Sequence, residues 1–395
     1  MGAWMMARLG DYIEQIRGVS YKPEDAVDVG DTTHIPVLRA HNIQGKNING
    51  NNLIYVSTKK IKQHQYIQKG DIVVCASSGS KDLVGKAAQA QRDMMASFGA
   101  FCKVVRPQKR IDASYLKHYF FSPFYRHTIS ELSSGANINN LRNEHIDDLK
   151  IPMPPQPTQE KIADVLDSAS LLVEKRKTQI EKLDLLVKSQ FIEMFSGKKY
   201  DYVDLISLIE GGAGLSYGIV QPGDDKTGDM GVLRPVDFVD GGISTSEIKY
   251  IDRSIGDGYK RTELTGEELL ITVRGTTGIT ALSDGRFKGM NVTRGIAVIR
   301  YRKDIINPLY LNEYLKSDES QFYIQENTKG IALKQINLSD LRQQPMLLPP
   351  LPLQNRFAEF VSAADKSKFA LQRGLDKLEL LYKSLMQKCF SGEMF

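Results

Sequence analysis

Apolar positions along the chain fall into two alternating regimes. Short runs of Val, Ile and Leu punctuated by Gly, at 35–38, 71–75, 101–105, 269–273 and 296–301, predict strands in a mixed β structure with short helices. Each such region closes on a proline-rich break, at 151–157 and again at 347–352, where Pro marks a helix start. About 38 Pro-free residues follow each break, their apolar side chains recurring in a 3-4-3-4 rhythm. In the first stretch the rhythm runs from Ile162, Val165, Leu166 and Ala169 to Val187 and Phe191; in the second, from Phe357, Phe360, Val361 and Ala364 to Leu381 and Leu385. Both close on Ser-Gly, with Gly197 and Gly392 where a C-terminal glycine cap belongs. Such a helix is roughly 57 Å long and needs a partner along its length.

The two halves are copies of one unit. Val37-Leu38-Arg39 recurs as Val232-Leu233-Arg234, Tyr115-Leu116 as Tyr310-Leu311, Gly135 as Gly330, and Phe195-Ser196-Gly197 as Phe390-Ser391-Gly392. The displacement is 195 throughout (232 − 37). Upstream, Gly18-Val19-Ser20-Tyr21 matches Gly214-Leu215-Ser216-Tyr217 at 196, which implies a single-residue indel. So long a period excludes a solenoid and indicates a tandem duplication with two-fold pseudo-symmetry. Each long helix then has its twin as partner, and the symmetry makes the pair antiparallel. The expected fold is α+β: two pseudo-symmetric globular mixed β/α domains, 1–155 and 198–350, separated by two long antiparallel helices, 156–197 and 351–395, forming a coiled coil with a domain at each end. The apolar stripe fills a, d and often e, wider than a two-helix seam uses, so further helices from another protein are expected on it.

Composition changes this picture little. The 395 residues are 41% hydrophobic and 25% charged, which excludes a disordered chain, and Cys75, Cys102 and Cys389 are too scattered for a disulfide framework or a zinc site. No apolar run reaches a membrane-spanning length, and the first residues carry neither a secretory nor a myristoylation signal, so a cytoplasmic protein without a membrane partner is expected. Catalytic patterns fail on spacing. Gly79 to Ala87 resembles a phosphate-binding loop but has one residue too many between its glycines, and Ala87 in place of Ser or Thr. Asn307-Pro308-Leu309-Tyr310 resembles a methyltransferase loop but reads better as a helix N-terminus. Asp237, Glu247 and Lys249 could form an Mg-dependent nuclease constellation, which keeps a nuclease as one alternative; a tandem protein-binding adaptor is the other. The six His show no metal-ligand spacing, and no metal site is expected.

Charge is more informative by segment than in sum. The net +5 divides into 20 basic against 14 acidic residues in 1–155 and 19 against 21 in 198–350. Within 271–303, however, seven Lys and Arg face one acid, Asp284, a strip suited to phosphate contacts. Near such segments lie Gly-punctuated loops carrying side chains that pair with base edges, Arg with guanine and Asn or Gln with adenine. The candidates in the first copy are Arg39, His41, Asn42, Ser78, Ser80, Lys81, Lys86, Asn137, Asn139, Asn140 and Arg142. In the second they are Arg234, Asp237, Arg274, Thr276, Thr277, Arg294, Lys329, Lys334, Gln335 and Asn337.

The duplication, with two variable globular domains each followed by a long helix, resembles the specificity subunit of type I restriction–modification systems. The resemblance rests on Ile151-Pro152-Met153-Pro154-Pro155-Gln156-Pro157-Thr158-Gln159 and Leu348-Pro349-Pro350-Leu351-Pro352-Leu353-Gln354 with their helices, and on Gly70-Asp71-Ile72-Val73-Val74 and Gly266-Glu267-Glu268-Leu269-Leu270. It covers the whole chain in order, although Thr158 and Leu353 stand where the family usually has an acid. The resemblance implies target-recognition domains that each read half of a bipartite double-stranded DNA sequence, and helices that fix the spacer and dock two methyltransferase subunits. It also implies that restriction subunits join the complex, that AdoMet and ATP belong to those partners, and that this chain makes and breaks no bonds.

Overall fold

The computed structural model describes residues 4–135, 140–211, 215–223, 228–239, 241–330 and 333–395, apart from the side chains of Lys81 and residues 133–135. It divides into two compact units, Met1–Lys177 with Arg373–Phe395, and Thr178–Gln372.

In the first unit the β-branched runs build two four-stranded sheets. One is antiparallel, in the order Ile13–Arg17, Cys102–Pro107, Ile72–Cys75 and Ala87–Gln89. Ile72–Cys75 is buried on both faces, which explains its unbroken apolar run. The other sheet runs Ser97–Phe98, His34–Leu38, Ile54–Ser57 and Ala26–Val27, with the first pair parallel and the rest antiparallel. The second unit repeats the plan. Leu215–Tyr217, Ile296–Ile299, Leu269–Thr272 and Thr280–Leu282 form the antiparallel four-stranded sheet, and Lys249–Ile251, Met230–Leu233 and Asn291–Val292 form the companion sheet with the same parallel pair.

The sheets correct one detail of the repeat. Gly18 packs so closely that a Cβ would lie 2.1 Å from the Gly99 carbonyl, and in the second unit Gly218 takes that place, with a Cβ 1.9 Å from the Val292 carbonyl. The amide after each bonds a main-chain oxygen in the same way, Val19 to Phe98 and Ile219 to Val292. The upstream displacement is therefore 200 (218 − 18), not 196, and the Gly-Ser-Tyr match there is a coincidence of composition.

Helices Ala113–Phe120 and Pro308–Lys316 follow the sheets, capped by Asp112 and Asn307, whose side chains accept N–H bonds from Tyr115 and Leu309. Asn307-Pro308 is thus a helix N-terminus, as its sequence suggests. The long helices are Gln156–Phe195 and Leu351–Ser391, 40 and 41 residues, and each contributes one half to each unit. Within the first unit they run antiparallel, joined by the pair Lys177–Glu379 at 2.7 Å. Within the second they run antiparallel too, joined by Lys368–Asp184 at 2.8 Å. Gly197 and Gly392 adopt φ of +69° and +79° beyond the helix ends, the left-handed turn a glycine cap requires.

The recurrent Gln at each long-helix start proves to be a lock. Gln159 is buried; its Oε1 accepts the Asp112 N–H at 2.9 Å, and its Nε2 donates to Pro154 O at 3.0 Å and Arg110 O at 3.2 Å. Gln354 repeats this with Asn307 N–H at 2.8 Å, Pro349 O at 2.8 Å and Ile305 O at 3.2 Å. Buried tyrosines reinforce the joint, Tyr115 bonding Pro152 O and Tyr310 bonding Leu347 O, both at 2.8 Å. Their rings pack on aromatic residues of the helix pair, Phe390 in one unit and Phe191, Phe195 and Phe357 in the other.

Candidate nucleic-acid interface

Four sequence-distant segments meet at one edge of each unit. In the first, the Gly99 N–H bonds Leu38 O at 2.9 Å, and the Ala76 and Ser77 N–H groups converge on Phe101 O at 2.8 and 3.0 Å. Leu141 N–H closes the seam on Ala76 O at 2.7 Å, beside the Ser77–Asn140 bridge. In the second, Thr293 N–H bonds Leu233 O, Val273 N–H bonds Gly295 O, Ile336 N–H bonds Val273 O, and Gly275 N–H bonds Lys334 O, all between 2.8 and 3.0 Å. Main-chain bonds thus gather the loops bearing Arg39, Ser78, Ser80, Asn140 and Arg142 on one unit. They gather those bearing Arg234, Arg274, Arg294, Lys334, Gln335 and Asn337 on the other.

The individual side chains differ in what they offer a ligand. His41, Ser80, Asn140, Arg142, Thr276, Arg294, Lys329 and Lys334 are exposed. Ser78, Lys86, Arg274, Thr277, Gln335 and Asn337 are half-buried. Lys86 lies at the base of its loop, where its carbonyl accepts the Cys75 N–H; Thr277 bonds Thr328 at 3.1 Å; Lys329 sits 3.8 Å from Asp340. Asn137 and Asn139 lie outside the described residues, as does the side chain of Lys81. Asn42 and Asp237 are buried and serve the loop itself. Asn42 Oδ1 accepts the Arg39 N–H at 2.9 Å, and Asp237 Oδ2 accepts the Arg234 N–H at 2.6 Å. The two arginines, half-buried at matching places, are held differently. Arg39 Nη2 donates to Asn52 O at 2.8 Å, whereas Arg234 Nη2 is gripped by Asp237 Oδ1 at 2.8 Å and by Glu247 O at 2.6 Å.

That grip also bears on the nuclease constellation. Asp237 spends its carboxylate on Arg234, Glu247 enters through its main-chain oxygen, and Lys249 donates to Gly223 O. Among the described residues no group of three His, Cys, Asp or Glu side chains is placed to hold a metal ion.

The basic strip of the second unit is more neutral than its composition implies. Arg286 pairs with Asp284, Arg302 with Asp304, Lys303 with Glu267, and Arg300 with buried Glu268 at 3.5 Å. Burial pushes the Glu268 carboxyl up, but hydrogen bonds from Thr265, Ser283 and the Glu267 N–H outweigh it and hold the pKa at about 2. Arg274, Lys288 and Arg294 form no ion pair among the described residues, and two of these stand at the seam.

Sequence reading missed Phe101, whose carbonyl is fixed by two N–H bonds while its ring is 69% exposed at the first seam. An isolated Phe after Gly99-Ala100 gives no signal of that placement. Tyr21 was missed as well; a Cβ added at Gly99 would lie 3.5 Å from its ring, and Arg39 is near enough to bear on its hydroxyl.

Among the described residues no helix is long and apolar enough to cross a membrane. The family model for the type I restriction modification DNA specificity domain matches residues 1–183 and 225–380. The chain is 28% identical to the EcoKI type I restriction enzyme specificity subunit of Escherichia coli K12, covering 99% of this chain and 89% of that protein. It is 29% identical, with the same coverage, to the StySPI specificity subunit of Salmonella potsdam. Its fold matches the crystal structure of a type I restriction–modification S subunit from M. genitalium with a TM-score of 0.55, at 14% identity, over 98% of this chain and 96% of that one.

Proposed function

The chain belongs to the type I restriction modification DNA specificity domain family, and we propose that it is the target-reading subunit of a restriction–modification complex, each domain reading one half of a bipartite double-stranded DNA sequence. The observation that carries this reading is the duplicated seam: in both units the same main-chain bonds gather polar and basic loops from four places in the chain. Phosphate contacts from exposed Arg and Lys would position each domain, and Arg39, Arg234, Arg274 and Gln335 would read base edges.

The long helices supply the partner surface. Leu171, Leu172, Leu380 and Leu381 are exposed on the first unit, and Leu185, Leu186 and Ile192 on the second. Apolar residues left on a helix already paired with its twin support docking of two methyltransferase subunits, with restriction subunits joining through the complex. AdoMet and ATP are assigned to those partners, this chain makes no bonds itself, and it works in the cytoplasm where the DNA lies. Lengthening both long helices by one turn should change the spacer between half-sites in a map of methylated adenines while leaving each half unchanged. An unaltered spacer refutes the helices as its ruler. Exchanging residues 1–155 for a relative's domain should rewrite one half-site only; a target left intact refutes the reading itself.

A further inference from the structure

The reading loop of the first domain is tied to the long helices through Lys46. The hairpin Ile43–Gln44 with Asn47–Ile48 turns on Gly45 and Lys46. It is bonded into the loop that carries Arg39: Asn42 Nδ2 donates to Asn49 O and Asn51 O at 2.9 Å each, and Arg39 Nη2 to Asn52 O at 2.8 Å. At the tip, Lys46 Nζ donates to the Tyr382 hydroxyl at 3.1 Å and lies 4.3 Å from the centre of that ring and 5.4 Å from the Phe121 ring. The chain of bonds continues inward. The Tyr382 hydroxyl meets Nδ1 of buried His118 at 3.1 Å, and His118 Nε2 meets Asp167 at 2.8 Å.

The second copy lacks every member of this chain. At the displacement of 195 that relates the hairpins and helices, Lys46, His118, Phe121, Asp167 and Tyr382 become Gly241, Glu313, Lys316, Ser362 and Val187. The matching hairpin, Phe238–Val239 with Gly242–Ile243, turns on Gly241, and a Cβ there would meet nothing within 4 Å. Its arginine keeps the corresponding main-chain bond, Arg234 Nη2 to Glu247 O at 2.6 Å against Arg39 Nη2 to Asn52 O, and adds the Asp237 carboxylate at 2.8 Å. Asn42, in the matching place, is neutral and offers no ion pair, and Arg39 Nε is buried without a hydrogen-bond partner among the described residues.

We propose that Lys46 is a positioning residue for target reading by the first domain: its contact with Tyr382 replaces the Arg234–Asp237 clamp and holds Arg39 in register with its base. The proposal rests on the DNA-reading function above. It also makes the second half-site an internal control, because the second domain lacks the contact.

The test expresses the full chain in its host as wild type, Lys46→Met, Lys46→Arg and Arg39→Ala, and maps methylated adenines by single-molecule sequencing. Lys46→Met should lower base discrimination roughly tenfold in the half-site read by residues 1–155, with the other half unchanged. Lys46→Arg, whose guanidinium can still lie over Tyr382, should retain wild-type discrimination. Equal relaxation of both halves by Lys46→Met, or loss in Lys46→Arg matching that in Lys46→Met, makes Lys46 merely structural and overturns the proposal. So does an unchanged motif in Lys46→Met where Arg39→Ala relaxes the first half. A chain whose removal leaves no methylated motif altered overturns the DNA-reading function itself.

Discussion

Replacing Gln354 with Ala should loosen the joint between the second recognition domain and its long helix. The buried amide accepts the Asn307 N–H at 2.8 Å and donates to Pro349 O at 2.8 Å and Ile305 O at 3.2 Å. Ala strands the N–H of half-buried Asn307 and takes one donor from each of two carbonyls. An unsatisfied buried backbone group costs ~1–3 kcal/mol. The stranded N–H is only half-buried and so belongs low in that range, which sets a local destabilisation of about 1.4 kcal/mol, the carbonyls adding little because each keeps a second lone pair. Since 1.4 kcal/mol is a factor of ten, the Asn307 amide should exchange with solvent roughly tenfold faster in native-state hydrogen exchange. Gln159→Ala should do the same to the Asp112 amide and leave Asn307 alone. A change of less than about threefold at Asn307 would show that the Gln is a spectator and that the tyrosines hold the joint.

Two further outcomes follow from the site and the helices. Glu268, held at about 2 against an ordinary value of 4.5, contributes stability that is fully present above that ordinary value and is lost as pH falls toward about 2. Glu268→Gln should therefore melt at lower temperature at neutral pH and lose less between about pH 5 and 2; a melting curve that tracks wild type at every pH contradicts the assignment. Leu171→Glu combined with Leu172→Glu, on an exposed helix face, should abolish co-purification of the methyltransferase subunits without shifting the melting temperature. Retained co-purification would place the docking surface elsewhere.

The duplicated plan was legible because period, proline breaks and helical rhythm are local signals that survive in both copies. Arg39 and Arg234 were legible together because each follows the same Val-Leu pair. The roles of Asn42 and Asp237 were not, since a loop Asn or Asp looks alike whether it faces a base or caps its own backbone. Nor was the neutralised basic strip: the partner of Lys303 is Glu267, 36 residues away, and that of Arg300 is Glu268. The upstream displacement misled because three residues of common type matched by chance, whereas the true equivalence of Gly18 and Gly218 is set by a main-chain carbonyl crowding each from a distant segment. Lys46 was invisible because its contact partner is 336 residues downstream.

The Gln locks have an evolutionary consequence. Every partner of Gln159 and Gln354 is a main-chain atom; one is a proline in both copies, Pro154 and Pro349, and the two that the domain supplies differ, Arg110 and Asp112 in one, Ile305 and Asn307 in the other. The joint therefore senses the path of the backbone and is blind to the side chains a domain carries. A gene segment encoding a different recognition domain, spliced in at the proline break, meets the same socket. Target preference can thus be inherited in blocks, by recombination at the joint, while the helices and whatever binds them stay unaltered.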